Sequence, residues 1–185
     1  MMGNITDRIP NRAECEELMA RYSMLPNIVE HSLQVMRVSL AVTDNLKDGV
    51  SVNRNLVIAA ALLHDITKTR SLETKEQHAD SGGTLLRELG FPSIAEIVEQ
   101  HVIIQNLNLE GKIEEREIVY YADKRVMHDT IVTIEERVYD LIKRYGNQEE
   151  IRNQLLRNKE QVLAVERKIA RFMKIDIDHA IQEIV

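Results

Sequence analysis

Apolar residues recur at three- and four-residue intervals along nearly the whole chain, and no run of four or more residues alternates cleanly with period two. That spacing restricts the fold to helices packed on helices. It predicts helices at about 12–23, 27–46, 53–64, 76–89, 93–103, 114–128, 133–145 and 147–173, with a short one near 177–184. Capping boxes mark four starts: Asn11 with Glu14, Thr74 with Gln77, Ser93 with Glu96, and Thr133 with Glu136. Pro26 reads as the stop of the first helix, Lys47-Asp48-Gly49 as the end of the second, and Leu89-Gly90-Phe91-Pro92 as a glycine stop before a turn. The expectation is an all-α, single-domain bundle over 1–185, with a core at about 27–128 and a helical extension at about 133–185.

The long helix from Gln148 to Met173 carries a heptad stripe. Leu155, Val162 and Ile169 fall seven apart, as do Ile151, Asn158, Val165 and Phe172. Such a stripe covers the domain's own core or forms the seam of a homodimer, since one stripe does not name its partner.

A 185-residue chain is long enough to bury a substantial core. Aromatic residues make up 4%, so aliphatic side chains and methionine must fill it. The net charge of −6 argues against extended nucleic acid as a partner, because such proteins usually show a basic face. An anionic substrate would then need a local positive centre, which bound metal ions supply. The single Cys15 excludes an internal disulfide, has no nearby histidine for thiol chemistry, and fits a reducing compartment. No signal peptide opens the sequence, and the longest apolar run, Leu56 to Leu63, is too short to span a bilayer. The expectation is a cytoplasmic protein with no membrane partner.

That apolar run ends in His64-Asp65. The dipeptide alone is weak, and a second copy, His128-Asp129, lacks the same context. Around the first pair stand His31, one turn before Val35 on an apolar helix face, and Asp123, inside the apolar stretch Ile118 to Val126. A buried Asp there is costly unless it is paired or bound to metal. His78 opens one predicted helix and His101 closes another, so each could face the same rim. Taken singly, each residue is more often a cap, a surface group or a hydrogen-bonding core residue. The ordered set of imidazoles and carboxylates is the mixed N/O donor set of divalent transition metals. His31, His64, Asp65 and Asp123 would hold one ion. If Asp65 bridges, His78 and His101 complete a second site. Two ions about 3.5–4 Å apart can share a hydroxide and clamp a phosphoryl group. His128, Asp129 and His179 read as surface residues.

The order His31, His64-Asp65, Asp123 resembles the HD-domain metal-dependent phosphohydrolase superfamily. The stretch Ala60 to Lys68 is similar to its HDIG subgroup, with Thr67 where that subgroup usually has glycine. His78 and His101 resemble the added ligands of dinuclear members, among them symmetrical bis-nucleosyl-tetraphosphate hydrolases and cyclic-dinucleotide phosphodiesterases. The resemblance runs from about Val29 to Arg125 and implies an all-helical core with both ions held as above. It also implies that Lys68, three residues after the pair, meets a substrate phosphate. A GYP-type signature and the proline-containing extension of the tetraphosphate hydrolases are both missing.

The expected activity is hydrolysis of a phosphoester or phosphoanhydride of a nucleotide or similar small phosphate. Two divalent ions among Fe, Mn, Co, Ni and Mg would activate water near neutral pH. Asp65 and Lys68 are the candidate catalytic residues, and Arg125 and Arg37 the weaker phosphate contacts, each with a solvated-surface alternative. The competing class is a non-catalytic signalling or scaffolding domain that keeps the helical core and dimerises through the long helix.

Overall fold

The computed structural model describes residues 7–184. Its helices are α1 (Arg12–Arg21), α2 (Pro26–Asp44), α3 (Arg54–Leu63), α4 (Lys68–Thr74), α5 (His78–Glu88), α6 (Pro92–Val98) and α7 (Glu115–Lys124). A two-stranded hairpin, β1 (Val126–Met127) and β2 (Thr130–Ile131), precedes α8 (Ile134–Tyr145), α9 (Glu149–Phe172) and α10 (Ile177–Gln182). The fold is all-α apart from that hairpin, whose register pairs Val126 with Ile131 and Met127 with Thr130.

The core forms where the apolar faces of α2, α3 and α7 meet. Val35, Val38 and Val42 of α2 pack with Leu62 and Leu63 of α3 and with Ile118 and Val119 of α7, all of them buried. The apolar run Leu56–Leu63 makes α3 a central helix, so whatever follows it at residue 64 emerges inside the molecule. Cys15 is buried in the same core, and burial with the neighbouring Glu14 and Glu16 charges pushes its thiol up to about 12.

The helix ends show what local chemistry decides. The boxes at Asn11 and Thr133 form as expected. Thr74 instead closes α4, and Lys75 turns left-handed at φ 62° before Gln77 begins α5. Ser93 lies inside α6, which opens at Pro92, and Pro26 opens α2 rather than ending α1. Both prolines sit where the missing N–H costs nothing and the fixed φ already suits a helix. A box that the sequence reading passed over, Glu114 with Glu117, starts α7. Two helices are shorter than expected: α6 stops at Val98, and α7 at Lys124, where the chain turns into the hairpin.

The heptad stripe of α9 is buried only toward its C-terminal end. Val162, Val165 and Ile169 lie in the core, whereas Ile151 is exposed and Leu155 only half-buried. The end of α9 is tied to the end of α2 by Lys47 N–H donating to the Phe172 carbonyl and Lys174 N–H to the Asn45 carbonyl. No helix among the described residues is long and apolar enough to cross a membrane.

Candidate metal centre

His64 is the residue on which α3 ends, and the chain turns so that Ile66 N–H bonds the Leu63 carbonyl and Lys68 N–H the Asp65 carbonyl. On a continuing helix, neighbouring side chains diverge by about 100°. The turn brings His64 Nε2 within 3.4 Å of Asp65 Oδ2. From α2, His31 Nε2 reaches Asp123 Oδ1 at 3.0 Å, and His64 Nε2 is 3.5 Å from the same oxygen. On the other side of the carboxylate, Asp65 Oδ1 lies 3.3 Å from His78 Nε2 and 3.5 Å from His101 Nε2. The six expected ligands therefore converge, and Asp65 turns one oxygen to each group.

Three imidazoles are aimed by a backbone carbonyl. His31 Nδ1 bonds the His128 carbonyl at 2.8 Å, His64 Nδ1 that of Ala61 at 2.8 Å, and His101 Nδ1 that of Val98 at 2.6 Å. With the proton on Nδ1, the Nε2 lone pair is presented to the cluster, the arrangement that metal-bound histidines use. The second His-Asp pair earns a place here through its backbone. His128 is exposed but adopts a left-handed φ of 57° in the hairpin turn, and its carbonyl orients His31. Histidine tolerates that region better than most residues. His179 stays at the surface, against Glu183.

Close helix contact sets the second group. A Cβ at Gly82 of α5 would meet Val98 of α6 at 3.1 Å, so glycine permits the approach that joins His78 to His101. Their Nε2 atoms are 3.1 Å apart. Thr67, at the position where the resembled subgroup usually has glycine, has an ordinary φ of −101°. Its hydroxyl donates to the His78 carbonyl and accepts from Ser81, which fixes the start of α5.

The cluster fits a divalent cation. His64 Nε2 and Asp65 Oδ1 are buried with no hydrogen-bond partner among the described residues, a costly state that a cation relieves. His31, His64 and Asp65 bring donor atoms close enough together for one ion, as do Asp65, His78 and His101. Burial opposes ionisation of Asp65 and Asp123, but His64, His101 and His78 around the first, and Lys124 and His31 beside the second, hold both well below the usual carboxylate range. Burial also opposes charge on His64, yet the two carboxylates draw it up to about 10, whereas burial and the His64 charge bring His101 down to about 4.

A pH dependence follows from those directions. Above about pH 5 the carboxylates are ionised and His101 is neutral, so the proton competing with metal is the one on His64. Metal affinity should rise roughly tenfold per pH unit between pH 7 and 8.5 as that proton becomes easier to displace. Competition titrations with a chelator measure this. An affinity that stays flat over the interval would show that binding displaces no proton from His64.

Lys68 and Lys124 bracket the centre. Lys68 Nζ donates to Asp65 Oδ2 at 2.7 Å, and the Asp65 and Asp123 charges outweigh burial to raise its pKa. Lys124, which the sequence did not single out, donates to Asp123 Oδ2 at 2.6 Å and to the His101 carbonyl at 2.7 Å. The two arginines are not brought to the centre. Arg125 is buried and spends its guanidinium on the Tyr121 hydroxyl, the Val132 carbonyl and Asp178. Arg37 is exposed against Gln34. A cavity of about 280 Å³ opens onto His31, Asp65 and Lys68, and α8 forms its facing wall.

The family model for the HD domain matches residues 28–128, from α2 to the hairpin turn. The chain belongs to the HD-domain family. The HD segment contains all six candidate ligands and stops before α8. An uncharacterised protein of Methanocaldococcus jannaschii is 30% identical over 72% of this chain and 87% of its own length. A dihydroneopterin 2′,3′-cyclic phosphate phosphodiesterase of the same organism is 32% identical over 52% of this chain and 45% of its own. A tRNA (cytidine(56)-2′-O)-methyltransferase of Picrophilus torridus is 30% identical over 78% of this chain and 43% of its own. The chain thus spans under half the length of these two named relatives. No solved structure matches the sequence significantly.

Proposed function

We propose that this HD domain is a metal-dependent phosphohydrolase that cleaves a phosphoester or phosphoanhydride bond of a nucleotide or related small phosphate. The observation that carries the reading is the divided carboxylate of Asp65, with Oδ2 toward His64 and Oδ1 toward His78 and His101. Two donor groups sharing one bridging residue form the kind of site that holds a pair of divalent ions, whether Fe, Mn, Co, Ni or Mg. When bound, such ions supply Lewis acidity toward phosphoryl oxygens and make water nucleophilic near neutral pH.

The chain's own groups do the rest. His31, His64 and Asp123 would hold one ion and His78 and His101 the other, with Asp65 shared, and the carbonyls of His128, Ala61 and Val98 fix three of the rings. Lys68 stays protonated at the cavity wall and neutralises charge as it develops on phosphoryl oxygens. It has no lone pair for a metal while charged. A relative named as a 2′,3′-cyclic phosphate phosphodiesterase makes 2′,3′-cyclic phosphates the first substrates to try.

Lys68→Ala is therefore expected to keep its metal while kcat/KM falls roughly 10- to 1000-fold. Initial rates on nucleoside 2′,3′-cyclic phosphates, with elemental analysis of the same samples, measure both. Full activity in the variant would remove Lys68 from the reaction. A fully metallated wild type that hydrolyses nothing across a broad phosphoester panel would overturn the enzymatic reading and favour a scaffold.

A further inference from the structure

Although α8 lies outside the matched HD segment, it walls the cavity in front of the metal centre. Arg137, Leu141, Arg144 and Tyr145 line that wall. They fall at intervals of four, seven and eight from Arg137, so one face of the helix is turned toward His31, Asp65 and Lys68. A helix face used only for packing would present aliphatic side chains there. This one presents two guanidiniums and a phenol.

The guanidiniums are held in place. Arg144 pairs with the Asp140 carboxylate, and Arg137 Nη1 lies 3.8 Å from the same oxygen. One carboxylate shared by two arginines orients both and leaves the wall net positive. Arg137 Nε is buried and has no hydrogen-bond partner among the described residues. An N–H in that state calls for an acceptor that the fold does not supply. Across the cavity stands the Lys68 ammonium, near enough for its charge and that of Arg137 to repel. With Asp65 and Asp140 set against Lys68, Arg137 and Arg144, the rim keeps one positive charge for an anion.

Tyr145 adds a second chemistry. It is 55% exposed, with the Arg144 guanidinium 5.7 Å from its ring centre. An uncovered aromatic ring beside arginines can stack on the face of a planar heterocycle while the guanidiniums bind phosphate oxygens in forked pairs.

The geometry points to α8 as the element that recognises the substrate: Arg137 and Arg144 take phosphate oxygens, and Tyr145 stacks on an aromatic ring. The ligand class is a small phosphate ester bearing a heterocycle, of mononucleotide size. The cavity, at about 280 Å³, sits at the lower edge of the roughly 300–1000 Å³ usual for ligand pockets. Naming this compound class as substrate rests on the phosphohydrolase reading, but the binding itself does not.

Calorimetric titration of the protein with inorganic phosphate and with adenosine 5′-monophosphate tests this. Wild type should bind the nucleotide more tightly than phosphate. Arg137→Gln and Arg144→Gln should each weaken both probes about tenfold. Tyr145→Ala should weaken the nucleotide about tenfold and shift phosphate less than twofold. Circular dichroism melts confirm that each variant is folded. Equal binding of the two probes by wild type, or wild-type binding in all three variants, overturns the proposal. Turnover separates the two readings. Binding as expected with no hydrolysis of any phosphoester leaves the recognition role standing and removes the enzymatic one. Undiminished hydrolysis of 2′,3′-cyclic nucleotides by the three variants removes the recognition role alone.

Discussion

Asp65→Ala is expected to leave the protein without bound metal and to lower turnover at least about 1000-fold, the upper end for loss of one preorganised electrostatic group. The reason is geometric. Oδ2 stands 3.4 Å from His64 Nε2, while Oδ1 stands 3.3 Å from His78 Nε2 and 3.5 Å from His101 Nε2. One substitution therefore strips a donor from both groups. It also leaves Lys68 without its carboxylate partner, adding positive charge where a cation must bind. His101→Ala reaches only one group and should cost mainly the second equivalent of metal. Elemental analysis of the three proteins, purified in parallel, separates these cases. Equal metal in wild type and Asp65→Ala would show that the cluster is not a metal centre.

The candidate site was partly legible in the sequence, because His31, His78 and Asp123 sit on helices and His64 and His101 follow closely on the apolar helices α3 and α6. A long apolar stripe such as that of α3 identifies its helix and places its last residue inside the molecule. The end of α3 at His64 was expected, but spacing alone did not supply the glycine contact at Gly82 or the carbonyls that aim the rings. Those depend on how helices meet. Shorter elements left weaker traces. α4 has seven residues and no buried side chain, so it has no stripe to recognise and was expected as loop. Strands of two residues are too short for alternation to register, which is why β1 was read as the end of a helix and β2 as a connection. The boxes at Thr74 and Ser93 matched the pattern of residue types, but a proline beside one and a left-handed lysine after the other moved the helix starts. Arg125 lay two residues from Asp123 in sequence, yet the end of α7 turns it into the Tyr121 and Asp178 network. Arg137, Arg144 and Tyr145 belong to no short motif, and their common target becomes visible only once α8 is placed.

Lys168 is the largest departure from the sequence pattern, and its replacement should have the largest effect on stability. It sits one residue before Ile169 on α9, where a heptad reading puts a charged side chain outside the stripe. In the fold it is 1% exposed, as is the Glu117 side chain, and Nζ donates to Glu117 Oε1 at 2.6 Å and to the Asn108 carbonyl at 2.8 Å. Glu117 Oε2 in turn accepts the Glu114 N–H that starts α7. The pair therefore joins α9 to the N-terminus of the helix that carries Asp123. Lys168→Met keeps much of the volume but leaves a buried carboxylate without its counter-charge. Breaking such a pair costs about 3–5 kcal/mol. For a domain of this size that corresponds to a fall in Tm of roughly 6–20 °C. Lys168→Met combined with Glu117→Gln removes the stranded charge while keeping an acceptor for Glu114, so it should recover most of the loss. Thermal melts of the single and double variants make the comparison. A single variant that melts within a degree of wild type would mean the pair contributes nothing. A double variant no more stable than the single would mean the lost stability comes from packing or the Asn108 contact, and that the stranded charge is not its cause.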